Sequence, residues 1–353
     1  MVKKESNPLN LSCPIPKSDY DKILMAHGSG GLLSHQLISQ MFLPQFDNEK
    51  ISQLNDSAVF KIGKNKLAFT TDSYVVQPIF FPGGDIGKLA VNGTVNDLSV
   101  AGADPLYISI SFIIEEGLSL DDLWKIILSI KEASQKAEVE IVTGDTKVVD
   151  RGKGDKIFIN TSGIGIVEEG VKIVPTNCKP GDVIIINGSI ADHGIAVMSA
   201  REGLSFETEI SSDTAPLNKL ILPVLSGSKN IHVMRDPTRG GVASTLKEIA
   251  LASQTGIEIY EKEIPVREEV KGACEILGLD PLYIANEGKV ILFVAEKDAE
   301  KILSIMKSRP LGKESRIIGK VVKEHPGMVI MKTVLGSSRV IEMIAGEQLP
   351  RIC

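Results

Sequence analysis

Between Glu168 and Gly181 the chain carries Gly170, Pro175, Pro180 and Gly181 with polar residues between them. Strand- and helix-like patterns run up to this break and start again after it. Such punctuation is where a chain passes from one packed unit to the next. At 353 residues the chain is also too long for one comfortable hydrophobic core. Two units are therefore expected, residues 25–170 and 171–345, flanked by an N-terminal extension (residues 1–24) and a C-terminal tail (residues 346–353).

The first half alternates strands and helices. Leu67–Thr71, Tyr107–Ile114, Glu140–Thr143 and Lys156–Val167 read as strands, and Asp85–Ala101 as a helix. Ser119–Ala137 is the clearest helix, with Ser119 as its cap and Leu120, Leu123, Trp124 and Ile127 at helical spacing. After the break, Val183–Asn187, Lys289–Val294 and Arg316–Val322 read as strands, and Asp192–Glu202 and Gly241–Ser253 as helices. The pattern predicts an α/β or α+β protein with helices packed on sheets.

Formal net charge is -6 and no track of Lys and Arg runs through the sequence. That disfavours nucleic acid and anionic membranes as partners. Met1–Ser18 is polar and has no apolar stretch behind Lys3 and Lys4, so no signal peptide is expected, and the expected home is the cytoplasm. Cys13, Cys178, Cys274 and Cys353 are too scattered for a zinc site or a disulfide scaffold. The first three read as core residues. The fourth ends the sequence, an odd place for one.

Four features carry chemistry. His27-Gly28-Ser29-Gly30-Gly31 is either a phosphate-binding nest of backbone N–H groups or a plain glycine turn. Asp56, Asp72, Asp97 and Asp145 sit near the ends of expected elements among small residues. They offer the hard oxygens that Mg²⁺ requires, or else serve turns and caps. On the helix holding Asp97, the positions Ala90, Gly93, Thr94, Asp97 and Ala101 share a nearly bulk-free face. That face admits a ligand or a closely packed backbone. Asp236-Pro237-Thr238-Arg239-Gly240-Gly241 precedes a helix, where the helix N-terminus and Arg239 both favour an anion. No P-loop pattern is present, so a nucleotide site here is of another kind.

The fourth feature is the terminus, Pro350-Arg351-Ile352-Cys353. A cysteine on an extended tail is expected to be mobile and exposed. The nine residues from Ala345 reach at most ~30 Å, far enough to visit a partner's site and the chain's own. A group carried on such a tether has an effective concentration of about 1 mM. A frayed end that happens to finish in cysteine is the plain alternative.

Taken together, these motifs, with Thr70–Pro78, Phe80–Ala101, Thr143–Val149 and Ala285–Lys289, resemble the HypE family of hydrogenase maturation proteins. That family lies within the PurM-like, AIR synthase-related class that also holds selenophosphate synthetase and thiamine monophosphate kinase. The resemblance covers Met25–Cys353, and its terminal Pro-Arg-Ile-Cys is specific to the family. It implies two AIR synthase-like α/β domains, the N-terminal one forming a dimeric β-barrel core in a homodimer. It implies ATP bound by Gly28, Ser29, Gly30, Gly31, Asp72, Asn96, Asp97, Thr143, Gly144, Asp145 and Arg239, with Mg²⁺ on Asp56, Asp72, Asp97 and Asp145.

The activity it implies is carbamoyl dehydration. A partner, HypF, loads a carbamoyl group onto Cys353. ATP-dependent dehydration then turns the S-carboxamide into S-cyanate. The HypC–HypD complex accepts the cyanide for the iron of [NiFe]-hydrogenase. Glu287 and Lys147 match family positions linked to proton removal; Lys147 otherwise contacts phosphate. Two other readings stand beside this one. A small-molecule synthetase or kinase of the same class uses the glycines and aspartates but leaves Cys353 idle. A non-enzymatic carrier uses Cys353 but leaves the aspartates structural.

Overall fold

The computed structural model describes residues 20–46, 48–204, 210–344, 346, 349 and 351–353. Pro350, Cys13 and most of the N-terminal extension lie outside the described residues. A first helical stretch holds α1 (Leu32–Leu37) and α2 (Leu43–Phe46). The first domain follows, with β1 (Ala58–Ile62), β2 (Asn65–Tyr74), β3 (Phe80–Phe81), β4 (Gly84–Asp85), α3 (Ile86–Val100), β5 (Ala103–Glu115), α4 (Leu120–Ala137), β6 (Glu140–Val149) and β7 (Ile157–Val167). Its five-stranded sheet has the order β1-β2-β7-β5-β6, antiparallel except between β5 and β6.

The second domain comprises β8 (Asp182–Ile186), α5 (Asp192–Glu202), α6 (Asn218–Gly227), β9 (Ile231–Arg235), α7 (Gly241–Ser253), β10 (Gly256–Tyr260), α8 (Glu268–Leu277), β11 (Ile291–Ala295), α9 (Glu296–Lys307), β12 (Arg316–Val322), β13 (Val329–Lys332) and β14 (Ser338–Ile341). Its seven-stranded sheet runs β14-β13-β10-β12-β8-β11-β9. Among the described residues, no helix is long and apolar enough to cross a membrane.

Helix α3 organises the molecule. Asp85 caps it, accepting from the N–H groups of Gly87 and Lys88. Apart from Lys88 and Asp97, every residue of α3 is buried, as a helix between two layers requires. One side packs on the first sheet. The other ties the domains together: Asn92 Nδ2 donates to Thr214 Oγ1 at 3.2 Å, and Asn96 Nδ2 to the carbonyls of Ala215 and Glu287 at 3.1 Å. Ser119 caps α4 as expected, accepting from the N–H groups of Asp121 and Asp122.

Strand alternation sorts the first sheet into two faces. From Ala68 onward the buried and half-buried positions of β2 are Ala68, Thr70, Asp72 and Tyr74, which face α3, while Phe69, Thr71 and Ser73 face outward. The expected strand Glu140–Thr143 runs on to Val149, and all of it except Val149 is exposed. Asp145 therefore sits mid-strand rather than in a turn. Register pairs Thr143, Asp145 and Lys147 with Ser109, Ser111 and Ile113, placing them on the outward face, opposite Asp72.

Candidate active site

A cleft of about 1030 Å³ opens between the domains, room enough for a nucleotide. Its floor is α3 and the end of β2. One wall is the glycine-rich loop, another the segment Arg235–Arg239, and a third the linker Lys172–Thr176.

Two sequence-distant loops meet here backbone to backbone. A Cβ on Gly30 would lie 2.6 Å from Arg239 Cβ, and one on Gly240 would lie 2.8 Å from Gly30 O; both residues have φ of +74°. Only glycine suits both the conformation and the approach. Arg239 donates to Gly28 O at 3.0 Å. The glycine loop is a short turn rather than an open nest: Gly30 N–H donates to Ser34 Oγ at 3.0 Å and Ser29 N–H to Ala26 O at 3.4 Å. Gly30 and Gly31 line the main cleft, whereas Gly28 and Ser29 face a smaller one behind it.

At the centre, carboxylate oxygens of Asp56, Asp97 and Asp236 all lie within 4.8 Å of one another. Thr70 Oγ1 donates to Asp97 at 2.8 Å, and Arg235 pairs with Asp56 at 2.9 Å. Burial, then the neighbouring carboxylates Asp236, Asp72 and Asp56, push Asp97 well above the usual range. Burial, then Asp56, raises Asp236 to about 7. Asp56 is also raised, by burial against the pull of Arg235. Three carboxyls, Asp236 buried and the other two half-buried, resist ionisation beside one another and form a place where a cation relieves repulsion.

Asp236 is the member the sequence reading did not count as a metal ligand. The signal for it in the sequence is the aspartate that opens the run Asp236–Gly241, ahead of Arg239 and the helix start. Asp72 lines the same cleft. Asp145 does not join it. Asp145 pairs with Lys147 at 2.7 Å on the exposed outer face, and Thr143, Gly144 and Lys147 are likewise absent from the cleft of this chain. Asn96 is also placed differently from the expected nucleotide contact. It is 1% exposed and its amide is spent on the inter-domain bonds, with Oδ1 accepting from Leu217 N–H at 2.8 Å.

Glu287 enters on a rigid loop. Asn286 accepts from Ala191 N–H and donates to Pro237 O and Ile284 O. Asp213 accepts from Glu287 N–H at 3.1 Å and pairs with Lys289 at 2.9 Å. A Cβ on Gly288 would lie 1.9 Å from Asp213 O, so this turn accepts glycine alone. The Glu287 carboxyl is buried and lines the cleft, and among the described residues its Oε1 has no hydrogen-bond partner. Burial, then Asp236, Asp213 and Asp72, pushes it well above the usual carboxylate range, with Arg239 opposing.

The tail does not match the expected mobile, exposed end. Its described residues are docked in the cleft wall. Val75 N–H donates to Cys353 O at 3.0 Å and Gln77 N–H to Arg351 O at 3.2 Å, extending the line of β2. Ile352 is 3% exposed within the core cluster that contains Tyr74 and Leu89. Its carbonyl meets His193 Nε2 at 3.0 Å. Arg201 donates to the carbonyls of Gln77 and Arg351, and Arg351 pairs with Asp155. Cys353 is half-buried at the cleft and its thiol is raised to about 12, by burial first and then by Glu287 and Asp72, against Arg239. Cys178 and Cys274 are buried in the second domain, as core residues should be.

Comparison with known proteins agrees with this architecture. The family model of the AIR synthase related protein N-terminal domain matches residues 54–167, and that of the C-terminal domain matches residues 179–332. Carbamoyl dehydratase HypE of Cupriavidus necator is 49% identical over 94% of this chain and 95% of its own. The Escherichia coli protein of the same name is 43% identical over 94% and 100%. Among solved structures, a HypE in complex with ATP superposes with TM-score 0.80 at 48% identity, covering 94% of this chain and 100% of that one. A HypE–HypF complex gives 0.83 at 52%, covering 87% and 99%. Thiamine monophosphate kinase of Aquifex aeolicus, 17% identical over 89% and 99%, shares the fold at TM-score 0.64. Matched along both domains and by relatives of this identity and coverage, the chain belongs to the HypE family of AIR synthase related proteins.

Proposed function

We propose that this chain is an ATP-dependent carbamoyl dehydratase acting on its own C-terminus, converting the S-carboxamide of Cys353 to S-cyanate. The observation that carries the reading is the docked tail. It delivers the Cys353 thiol to the cleft that also holds Glu287, Arg239 and the aspartate cluster. Relatives named carbamoyl dehydratase HypE, and a hydrogenase maturation protein HypE solved in complex with ATP, support it.

The chemistry balances as follows. The carboxamide oxygen attacks the γ-phosphorus of ATP, an O–P bond forms and ADP departs. One N–H proton goes to a base. Phosphate then leaves with the second N–H proton and the former carboxamide oxygen, and S–C≡N remains. Phosphoryl transfer chiefly needs positioning and charge neutralisation. Glu287 is the proposed base, its unpaired oxygen facing the cleft. Arg239, held against the glycine loop, supplies positive charge between Cys353 and the phosphates. The oxygens of Asp56, Asp97 and Asp236, with Asp72 beside them, suit the hard-oxygen coordination of Mg²⁺. Bound there, Mg²⁺ would neutralise phosphate charge. A carbamoylated chain given Mg-ATP should lose ~18 Da, one water, confined to its C-terminal peptide. No loss despite ATP binding favours the carrier reading.

We also propose a homodimer. Phe69, Ile164 and Tyr107 form one cross-strand row on the outward face of the first sheet, each more than two-fifths exposed. Ile113 and Ile166 extend it on the same face. An apolar face of this kind calls for a second sheet, and packing two copies through it gives a barrel-like core. That arrangement also gives Thr143, Gly144, Asp145 and Lys147 a role, on the cleft of the other copy. Ile113→Asp is expected to give a monomer by sedimentation and to lower turnover at least ~10-fold; a dimer with full activity would refute this packing. HypF as the loading enzyme, supported by the HypE–HypF complex of a relative, HypC–HypD as cyanide acceptor, and a cytoplasmic setting complete the proposed pathway. Transfer of cyanide from an S-cyanate chain to purified HypC–HypD tests the acceptor.

A further inference from the structure

Tyr74 has no role in the dehydration as written, yet it ends β2 one residue before the backbone contact that holds the docked cysteine. It is 1% exposed, and among the described residues its hydroxyl has no hydrogen-bond partner of good geometry. A buried hydroxyl left unpaired costs about 1–3 kcal/mol. The hydroxyl of Thr94, the one side chain among the described residues near enough to hydrogen-bond to the phenol, already shares a hydrogen bond with Thr161. The residue after Tyr74 is the one that holds Cys353, through Val75 N–H and Cys353 O at 3.0 Å. Tyr74, Glu287 and Cys353 line the same cleft, and Glu287 Oε1 is the second buried polar atom there without a partner.

The position of the phenol is fixed. Strand alternation turns Tyr74 toward α3, and Gly93 of α3 lies beneath its hydroxyl. A Cβ on Gly93 would lie 2.1 Å from Tyr74 Oη. The small face noticed in the sequence around Asp97 therefore makes room for this hydroxyl, as well as for close packing on the sheet.

A thiol, a weak donor and a weak acceptor, satisfies the two orphan atoms poorly. A primary carboxamide satisfies both, because it offers one oxygen acceptor and two N–H donors on one planar group. We propose that Tyr74 is a further catalytic residue of the dehydratase: its hydroxyl donates to the carbamoyl oxygen on Cys353 while Glu287 accepts from the carbamoyl nitrogen. The inference rests on the dehydratase reading and deepens it. The pair reads the carbamoyl group as an amide. Once that oxygen is phosphorylated, the Tyr74 O–H remains on the C–O oxygen. It stabilises the negative charge that grows there as the bond breaks and phosphate leaves. No proton is transferred from Tyr74, so the balance of the reaction is unchanged.

The test uses the full-length chain, carbamoylated at Cys353, as wild type and Tyr74→Phe. Phenylalanine keeps the ring packing and removes only the orphan hydroxyl. In single-turnover experiments with saturating Mg-ATP, the variant is expected to lose water about 100-fold more slowly, in line with the loss of one aimed donor. ATP affinity should be unchanged. Carbamoylation should raise the Tm of wild type more than that of the variant. A purely structural Tyr74 would leave the rate and the carbamoylation-dependent Tm gain alone. A variant within about 2-fold of wild type in rate, with the same Tm gain, overturns the proposal. If loaded wild-type chain fails to lose water, the dehydratase reading itself has failed, and the two outcomes are distinct.

Discussion

Glu287→Gln is expected to slow dehydration of the loaded chain by about 10²–10⁴-fold, the usual contribution of a positioned base. The effect should fall on the chemical step. Glu287 N–H is held by Asp213 and its carbonyl by Asn96, so the loop keeps its shape when the carboxylate becomes an amide. ATP affinity should therefore be nearly unchanged. The pH dependence sharpens the test. Burial and the carboxylates of Asp236, Asp213 and Asp72 hold Glu287 well above the ordinary range. A base must be ionised to work, so the wild-type rate should climb with pH through an inflection above the usual carboxylate values. The glutamine variant should lack that inflection. A variant as fast as wild type would transfer the role elsewhere, with Lys147 of a second copy the first place to look.

Asp236→Asn should separate stability from activity. The carboxyl of Asp236 is raised to about 7 in the fold from an ordinary 3.8, by burial first. A group raised in this way contributes stability below its unfolded value and loses that contribution as pH climbs through the folded one. At pH 8 without metal, ionised Asp236 thus opposes folding, and replacing it with the neutral isostere should raise Tm by roughly 3 °C or more. At pH 5 the gain should be smaller, and it should vanish only below the unfolded value of 3.8. Turnover with Mg-ATP should nevertheless fall at least ~100-fold, because one of three converging oxygens is gone, and the stabilisation that Mg²⁺ gives wild type should be lost. Lower stability at pH 8 with intact turnover would remove Asp236 from the metal site.

The sequence carries some of this architecture plainly. The strand–helix alternation on both sides of Glu168–Gly181 and the cap at Ser119 follow from local rules, and both are in the fold. So is the meaning of the small residues on α3, because helical spacing alone places Gly93 and Asp97 together. What local rules miss is anything decided by which side of a sheet a residue faces. Asp72 and Asp145 look alike in sequence, each beside a threonine on a strand. Alternation on β2 turns Asp72 inward, and pairing with β5 turns Asp145 outward. The length of β6 was equally hidden. Its second half mixes Gly144, Asp145, Thr146 and Lys147, which gives no apolar alternation to read because the strand is exposed.

The docked tail depends on contacts almost as far apart as the sequence allows. Ile352 reaches a cluster built from residues of β2 and α3, and Arg351 meets Asp155. A short polar tail read alone gives no sign that its penultimate side chain is a core residue. Asp236 illustrates the same limit. Its cluster partners Asp56 and Asp97 come from the other domain, and only the closed cleft makes the three a set.

The central claim is that the oxygen removed from Cys353 leaves on phosphate, inside this cleft and at the expense of ATP. The most direct measurement loads Cys353 with a carbamoyl group carrying heavy oxygen, adds Mg-ATP for a single turnover, and locates the label. The account predicts one heavy oxygen in the released inorganic phosphate, one ADP, and S-cyanate on the C-terminal peptide. Heavy oxygen retained on Cys353, or released into water with unlabelled phosphate, would contradict it.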